Sequence, residues 1–346
     1  MQKYIQEEEE KRKNAKEEEQ KEIENKLEIK ERKTTMIKST IINTSILTRK
    51  VETNIYGRQK IPNHSETWKD DILPAEKKSL CPYDKDGWDL PEEVEEDDLE
   101  NWEDAEFWCQ PDEIKNFEVY TIFEKGATVD DIIQGSIGDC YFLSAVGSLC
   151  AYPDFFNKLF HIKQISSEHV YGIYLYLNGK WKLVLVDDYF PCVSKDDTKE
   201  LFFSRSFQNE IWVSLIEKAW AKVNGCYANI GCGGYCYEAF DVLTEAYTEH
   251  LEFKFYRKEE IWIKMEDASK KNYVMTAGIV DKDEKFNNMI KRWGLDIGHA
   301  YTIINILKME ENGVRLVKLK NPWGNREFSG DWSDRSRKWT PELKKK

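Results

Sequence analysis

Apolar residues alternate through Val170–Leu177 and again through 181–186, with Asn178, Gly179 and one lysine between the two runs. That spacing predicts a β-hairpin whose turn uses the left-handed conformations Asn and Gly tolerate. The period then changes. Trp212, Leu215, Ile216, Ala219 and Val223 fall on one side of a helix, bounded by Asn209 as a capping residue and by Asn224-Gly225 as a stop. Further β-rich runs lie at 273–280, 300–307 and 314–319. Helical patterning dominates the first half and strand patterning the second, which predicts an α+β protein of two subdomains. We expect boundaries at 62–245 and 246–346, behind a charged helical or disordered tail at 1–61.

The tail is legible mainly by charge. Residues 3–33 carry ten Lys/Arg and eleven Glu with few apolar residues, so no heptad is sustained and no secretory signal is written there. Residues 39–48 form an uncharged Thr/Ile stretch with no evident role, and the sequence names no partner for the tail. The whole chain of 346 residues has a net charge of −13, and residues 83–106 hold thirteen acids against one lysine. This acidic belt reads as an exposed insertion, and the charge balance gives nucleic acid no footprint. The longest uncharged apolar run, 140–152, is too short to span a bilayer. Eight cysteines without a secretory signal read as reduced thiols in a cytoplasmic protein.

Chemistry concentrates at residues 134–150, QGSIGDCYFLSAVGSLC. Gly135 and Gly138 forbid a regular helix before Cys140, while Leu143, Val146, Gly147 and Cys150 follow helical spacing. Cys140 is therefore placed at a helix N-terminus, buried along one face, where free amides would lower a thiol's pKa. A nucleophilic thiol needs a base. Of five histidines, His299 stands out, with Gly298 before it and a strand after it. If 308–313 is the loop of a hairpin, Leu307 faces Val314 and Ala300 faces Asn321, so His299 and Asn321 emerge at one end. An Asn amide there can hold the far imidazole nitrogen and fix its tautomer. The other cysteines read as core or loop thiols. The spacing of Cys226, Cys232 and Cys236 fits no common zinc pattern.

With Gln134 to Cys140, Asp187-Asp188-Tyr189, Asn209 to Trp212, Gly298 to Tyr301 and Asn321 to Gly324 in view, the chain from about Asp70 resembles the protease core of the calpain family. That resemblance implies a papain-like fold split into a helix-rich and a β-rich subdomain, and an intracellular endopeptidase performing limited proteolysis of protein substrates through a thioester. It implies Cys140 as nucleophile, His299 as base and then acid, Asn321 as orienter, and Gln134 as oxyanion donor. Gly233 and Gly298 would bind the substrate backbone, and Trp323 would cover the Asn–His contact. The cofactor implied is calcium, held first by carbonyls of Glu124 and Gly126 with carboxylates of Asp131 and Glu210, and second by Glu327 and Asp334.

Three positions depart from the family pattern. Tyr141 replaces a Trp, Val129 stands where an Arg often pairs across the subdomains, and Glu245 replaces a Gly. Two other readings stay open beside the peptidase. Transglutaminase chemistry shares a Cys–His pair but uses an Asp where Asn321 stands. A catalytically silent calpain-like scaffold or binding module would need none of these groups intact.

Overall fold

The predicted hairpin forms as read: residues 170–177 pair antiparallel with 180–187, Leu177 lies opposite Lys180, and Asn178 (φ 53°) and Gly179 (φ 74°) make the turn. The computed structural model describes residues 37–42, 68–82, 105, 107–115, 117, 119–280, 284–309, 313–325, 327–341 and 343. The segment 1–33 and the acidic belt, but for Ala105, lie outside the described residues.

In chain order the described strands are β1 (Ile37–Ile42), β2 (Phe107–Cys109), β3 (Ile132–Ile133), β4 (Val170–Leu177), β5 (Lys180–Asp187), β6 (Phe190–Lys195), β7 (Thr198–Leu201), β8 (Arg205–Ser206), β9 (Thr248–Glu252), β10 (Val274–Ile279), β11 (His299–Lys308) and β12 (Arg315–Lys320). The helices are α1 (Lys77–Leu80), α2 (Cys140–Leu149), α3 (Pro153–Phe156), α4 (Trp212–Asn224), α5 (Tyr227–Gly231), α6 (Cys236–Thr244), α7 (Lys258–Lys270) and α8 (Glu284–Arg292). Mixed helix and strand, with one large antiparallel sheet late in the chain, is an α+β architecture.

That sheet has the order β12-β11-β10-β1-β9. Its surprise is β1. Residues 37–42 belong to the segment expected to be a tail, yet they form a strand between β9 and β10, with Ile37 opposite Ile279 and Ile42 opposite Thr248. The β11–β12 hairpin also differs in detail from its sequence reading. Leu307 faces Leu316, not Val314, and the register shifts by one between Ile303 and Asn305. The bulge at Ile304 absorbs one residue, so the two strand ends still meet at His299 and Asn321.

The main core gathers around α2, α4 and α6. Trp212 stacks on Phe123 at 6.1 Å and meets Phe156 edge-on at 5.3 Å, while Phe142 stacks on Trp220 at 5.1 Å. Asn209 does not cap α4. The helix begins at Trp212, and the Asn209 side chain donates instead to the Val119 carbonyl (3.2 Å). Two lysines of α4 are fully buried: Lys218 binds Asp187, and Lys222 binds Asp70 and the Leu185 carbonyl.

α2 crosses the faces of β10 and β11. The contact is tight because Gly147 has no side chain; a Cβ there would lie 3.0 Å from Thr302 Oγ1 and 3.0 Å from Val129 Cγ2. Thr302 Oγ1 donates to the Ser144 carbonyl at 2.8 Å. Every residue of α2 is buried, which corrects the expectation of a single buried face. The packing of helix on sheet carries Cys140 to the end of the sheet where β11 starts.

Candidate active site

Two close approaches hold the loop before Cys140. A Cβ on Gly135 would sit 2.2 Å from the Phe203 carbonyl oxygen, and one on Gly138 would sit 2.2 Å from that of Gly231. Glycine is required at both for steric reasons. Gly138→Ala is expected to push the loop off Gly231 and destabilise the fold by about 1–3 kcal/mol, read as a lower thermal midpoint.

His299 opens β11 directly after Gly298 (φ 70°), whose amide donates to the Ile279 carbonyl at 2.8 Å. Asn321 follows β12. Its Oδ1 accepts from His299 Nε2 at 2.8 Å and from the Trp323 backbone amide at 3.0 Å. A backbone N–H can only donate, so the Asn321 atom facing both groups is the oxygen. His299 Nε2 must then carry its proton, which leaves Nδ1 with the free lone pair. The Trp323 ring lies over the imidazole at 4.3 Å between centroids, and Tyr301 meets it edge-on at 4.8 Å. Burial holds the His299 pKa below its ordinary value, against the Asn321 hydrogen bond and the charge of Asp296. The sequence reading does not single out Asp296; its one signal is a place three residues before the histidine.

The thiol does not behave as its helix position suggests. Burial pushes Cys140 up to about 12, outweighing the backbone amides that would lower it. Desolvation wins over the helix terminus because Cys140 is 7% exposed. Its Sγ points to the Gly298 carbonyl at 3.9 Å.

Gln134 joins the same wall. Its backbone amide donates to the Pro322 carbonyl at 2.8 Å, and its side-chain Nε2 donates to the Ile137 carbonyl at 2.5 Å. Gln134, Cys140, Gly233, Gly298, His299 and Trp323 line one cleft of about 470 Å³. Gly233 (φ 86°) and Gly298 would both point a Cβ into open space within it. A cleft with a thiol, an oriented imidazole and two side-chain-free backbone stretches suits an extended peptide.

The model of the calpain family of cysteine proteases matches residues 68–346. The chain belongs to that family. It is 31% identical over 250 residues to Calpain-type cysteine protease ADL1 of Oryza sativa subsp. japonica, covering 69% of this chain and 11% of that protein. It is 33% identical over 238 residues to Calpain-2 catalytic subunit of Homo sapiens, covering 67% and 33%, and 33% identical over 245 residues to Calpain clp-4 of Caenorhabditis elegans, covering 68% and 33%. The chain thus matches about a tenth to a third of the length of these calpain relatives.

The departures from the calpain pattern have local accounts. Glu245 sits in the left-handed conformation (φ 62°) at the end of α6, where a glycine costs nothing, and its Oε2 accepts the Trp181 indole proton at 3.0 Å. Tyr141 accepts the Trp220 indole proton at 3.0 Å. Val129 packs beside α2 as an apolar contact.

The residues expected to hold calcium fall into two groups. Glu210 Oε1 accepts the Glu124 amide, and its Oε2 accepts from Trp212 Nε1 (2.9 Å) and Ser206 Oγ (3.3 Å). Asp131 accepts from the amide and hydroxyl of Thr128, and Gly126 (φ 97°) lies two residues beyond Glu124. Burial holds the Glu210 carboxyl above its ordinary range, and the Asp131 charge adds to that. Two neighbouring carboxylates, beside the loop that carries the carbonyls of Glu124 and Gly126, have the oxygen chemistry a hard cation takes. Glu327 and Asp334 are exposed, and no hydrogen bond or ion pair joins them among the described residues. Among those residues there is no cluster of three or more His, Cys, Asp or Glu side chains placed for a metal, and none of the eight cysteines is in a disulfide. No helix among them is long and apolar enough to cross a membrane.

Proposed function

We propose that this calpain-family chain is the core of a cysteine endopeptidase, papain-like in its split into a helix-rich and a β-rich half, that cleaves protein substrates within the cytoplasm. The observation that carries the reading is the Asn321 oxygen, which takes protons from both His299 Nε2 and the Trp323 amide and so leaves Nδ1 as a base in the cleft that holds Cys140. Nδ1 takes the thiol proton as Sγ attacks the scissile carbonyl. The tetrahedral oxyanion, facing the Cys140 amide and the Gln134 side chain, collapses to a thioester as the imidazolium protonates the departing amine. Water deprotonated by His299 then frees the acid. Gly233 and Gly298 bind the substrate backbone, where a Cβ would fill the space the peptide needs.

The resting arrangement favours the neutral pair. Burial raises the thiol and lowers the imidazole, so both hold the neutral form at neutral pH. Turnover therefore needs Sγ to leave the Gly298 carbonyl and Gln134 Nε2 to leave that of Ile137. Calcium bound by Asp131, Glu210 and the carbonyls of Glu124 and Gly126 would supply positive charge that orders the segment ahead of Gln134. Glu327 and Asp334 form a weaker second set. Hydrolysis is expected to rise with added calcium in the parent, and Asp131→Ala and Glu210→Ala are expected to flatten that response while Glu327→Ala changes it less. A titration of calcium against peptidase rate checks this, and a response lost only in Glu327→Ala contradicts the assignment. The raised thiol also fits a silent binding module. Labelling of Cys140 by a peptidyl electrophile separates the two, since a module need not react.

A further inference from the structure

The side chain immediately before the nucleophile has no role in the chemistry above. Asp139 is 0% exposed, its two carboxyl oxygens have no hydrogen-bond partner among the described residues, and the group beside them is the carboxyl of Glu217, itself 1% exposed on α4. The partners are unequal. Both oxygens of Glu217 accept the Ser204 amide, at 3.1 and 3.2 Å, which favours the anion there. Among the described residues no cation pairs with either group, and the two lysines of α4 bind elsewhere: Lys218 to Asp187 and the Tyr189 carbonyl, Lys222 to Asp70 and the Leu185 carbonyl. The other titratable groups facing the pair are Cys140 and Tyr141 on α2 and Tyr227 on α5, whose hydroxyl is raised by burial and then by the charge of Glu217. All three are neutral in this setting. Two adjacent carboxylates in such a place cannot both be ionised.

We propose that Asp139 and Glu217 share a proton carried by Asp139, and that this shared proton positions the start of α2 and with it Cys140, the nucleophile of the function proposed above, on which this part of the inference rests. The Asp139 carbonyl accepts the amides of Phe142 (2.9 Å) and Leu143 (3.1 Å), so the residue that holds the proton also holds the first turn of the nucleophile helix. Removing the proton sets two buried anions against each other. The repulsion is relieved only by moving Asp139, whose backbone is continuous with Cys140. Asp139 and Glu217 are thus positioning residues, tied to the chemistry through the helix start.

The sign of the pH dependence follows. Burial raises both carboxyls above their ordinary range, Glu217 to about 7 and Asp139 well above its usual value. The stability they contribute is complete below the ordinary carboxylate pKa and is lost as pH rises through about 7 and beyond. The test follows the full chain, Asp139→Asn and Glu217→Gln from about pH 6 to about pH 9. An amide at 139 can donate to Glu217 without titrating. Glu217→Gln keeps the Asp139 carboxyl and removes the neighbouring charge that raises it, so its titration is expected to move down, and if one variant fails to fold the other still leaves one reading. The parent's melting midpoint is expected to fall by roughly 3–6 °C more than that of Asp139→Asn. The alkaline limb of peptide hydrolysis is expected to move up by about one pH unit in Asp139→Asn and to move down in Glu217→Gln. The infrared band of a protonated carboxylic acid, present in the parent at neutral pH, is expected to vanish in Asp139→Asn. Parallel pH profiles in parent and variants, or no such band in the parent, overturn the proposal. If no peptide is hydrolysed at any pH, the midpoint and the infrared band still decide the pair, and it is the peptidase reading that fails.

Discussion

Cys140→Ser is expected to lower peptide hydrolysis by roughly 10⁴-fold or more while leaving the melting midpoint within a degree or two of the parent. The substitution exchanges sulfur for oxygen at the start of α2 with little change in volume, and a hydroxyl can also face the Gly298 carbonyl. A serine hydroxyl beside an imidazole already held below its ordinary pKa is a poor nucleophile, because the base that must take its proton is itself weak. His299→Ala is expected to match that loss, and the double variant to lose little more, because nucleophile and base act as one unit. Asn321→Ala should cost less. It frees the imidazole tautomer that Oδ1 fixes but removes no atom that carries the proton. Turnover of a peptide by purified Cys140→Ser, measured with the parent as standard, would refute the assignment of the nucleophile.

The largest stability effect is expected at Lys222→Met. Lys222 Nζ lies 2.7 Å from both oxygens of Asp70 and 2.6 Å from the Leu185 carbonyl, with both side chains fully buried. Removing the cation leaves the Asp70 carboxylate uncompensated, a loss of about 3–5 kcal/mol. The cost spreads further, because Asp70 Oδ1 also accepts the amides of Ile72 and Leu73, and Leu73 belongs to the core. Adding Asp70→Asn to Lys222→Met should restore part of the loss by neutralising the stranded charge. Thermal or urea unfolding of the parent, both singles and the double variant checks it. A double variant as unstable as the sum of the singles would mean the two groups do not interact.

How far the sequence reveals this protein depends on how local each signal is. The β4–β5 hairpin was readable because alternation and an Asn-Gly pair act within a few residues. The placing of Asn321 on His299, and of His299 with Cys140 in one cleft, is readable because few histidines exist and a hairpin fixes which ends coincide. Its register is not, since the bulge at Ile304 leaves no local mark. The polar residues of α2 suggested an exposed face, but Ser148 turns its hydroxyl to the Ala145 carbonyl and Tyr141 accepts the Trp220 indole, so polarity there does not report exposure. Asn209 had the composition of a cap, and the Val119 carbonyl claimed it. The raised thiol and the Asp139–Glu217 pair depend on what surrounds them from distant segments. Burial of that kind is a property of the assembled core.

β1 has a consequence for how this molecule comes into being. It lies between β9 and β10, whose own strands begin only at Thr248, so roughly 200 residues must be made before β1 has a partner. A strand made well before both of its partners is among the last to be used. Until it docks, β9 and β10 each present an unpaired edge, and the sheet that carries His299 stays open in its middle. The intervening loop contains the entire nucleophile-bearing half, so that half can collapse on its own local contacts while the sheet waits for a closure across most of the chain. The cleft between them is then assembled last, after both of its walls exist.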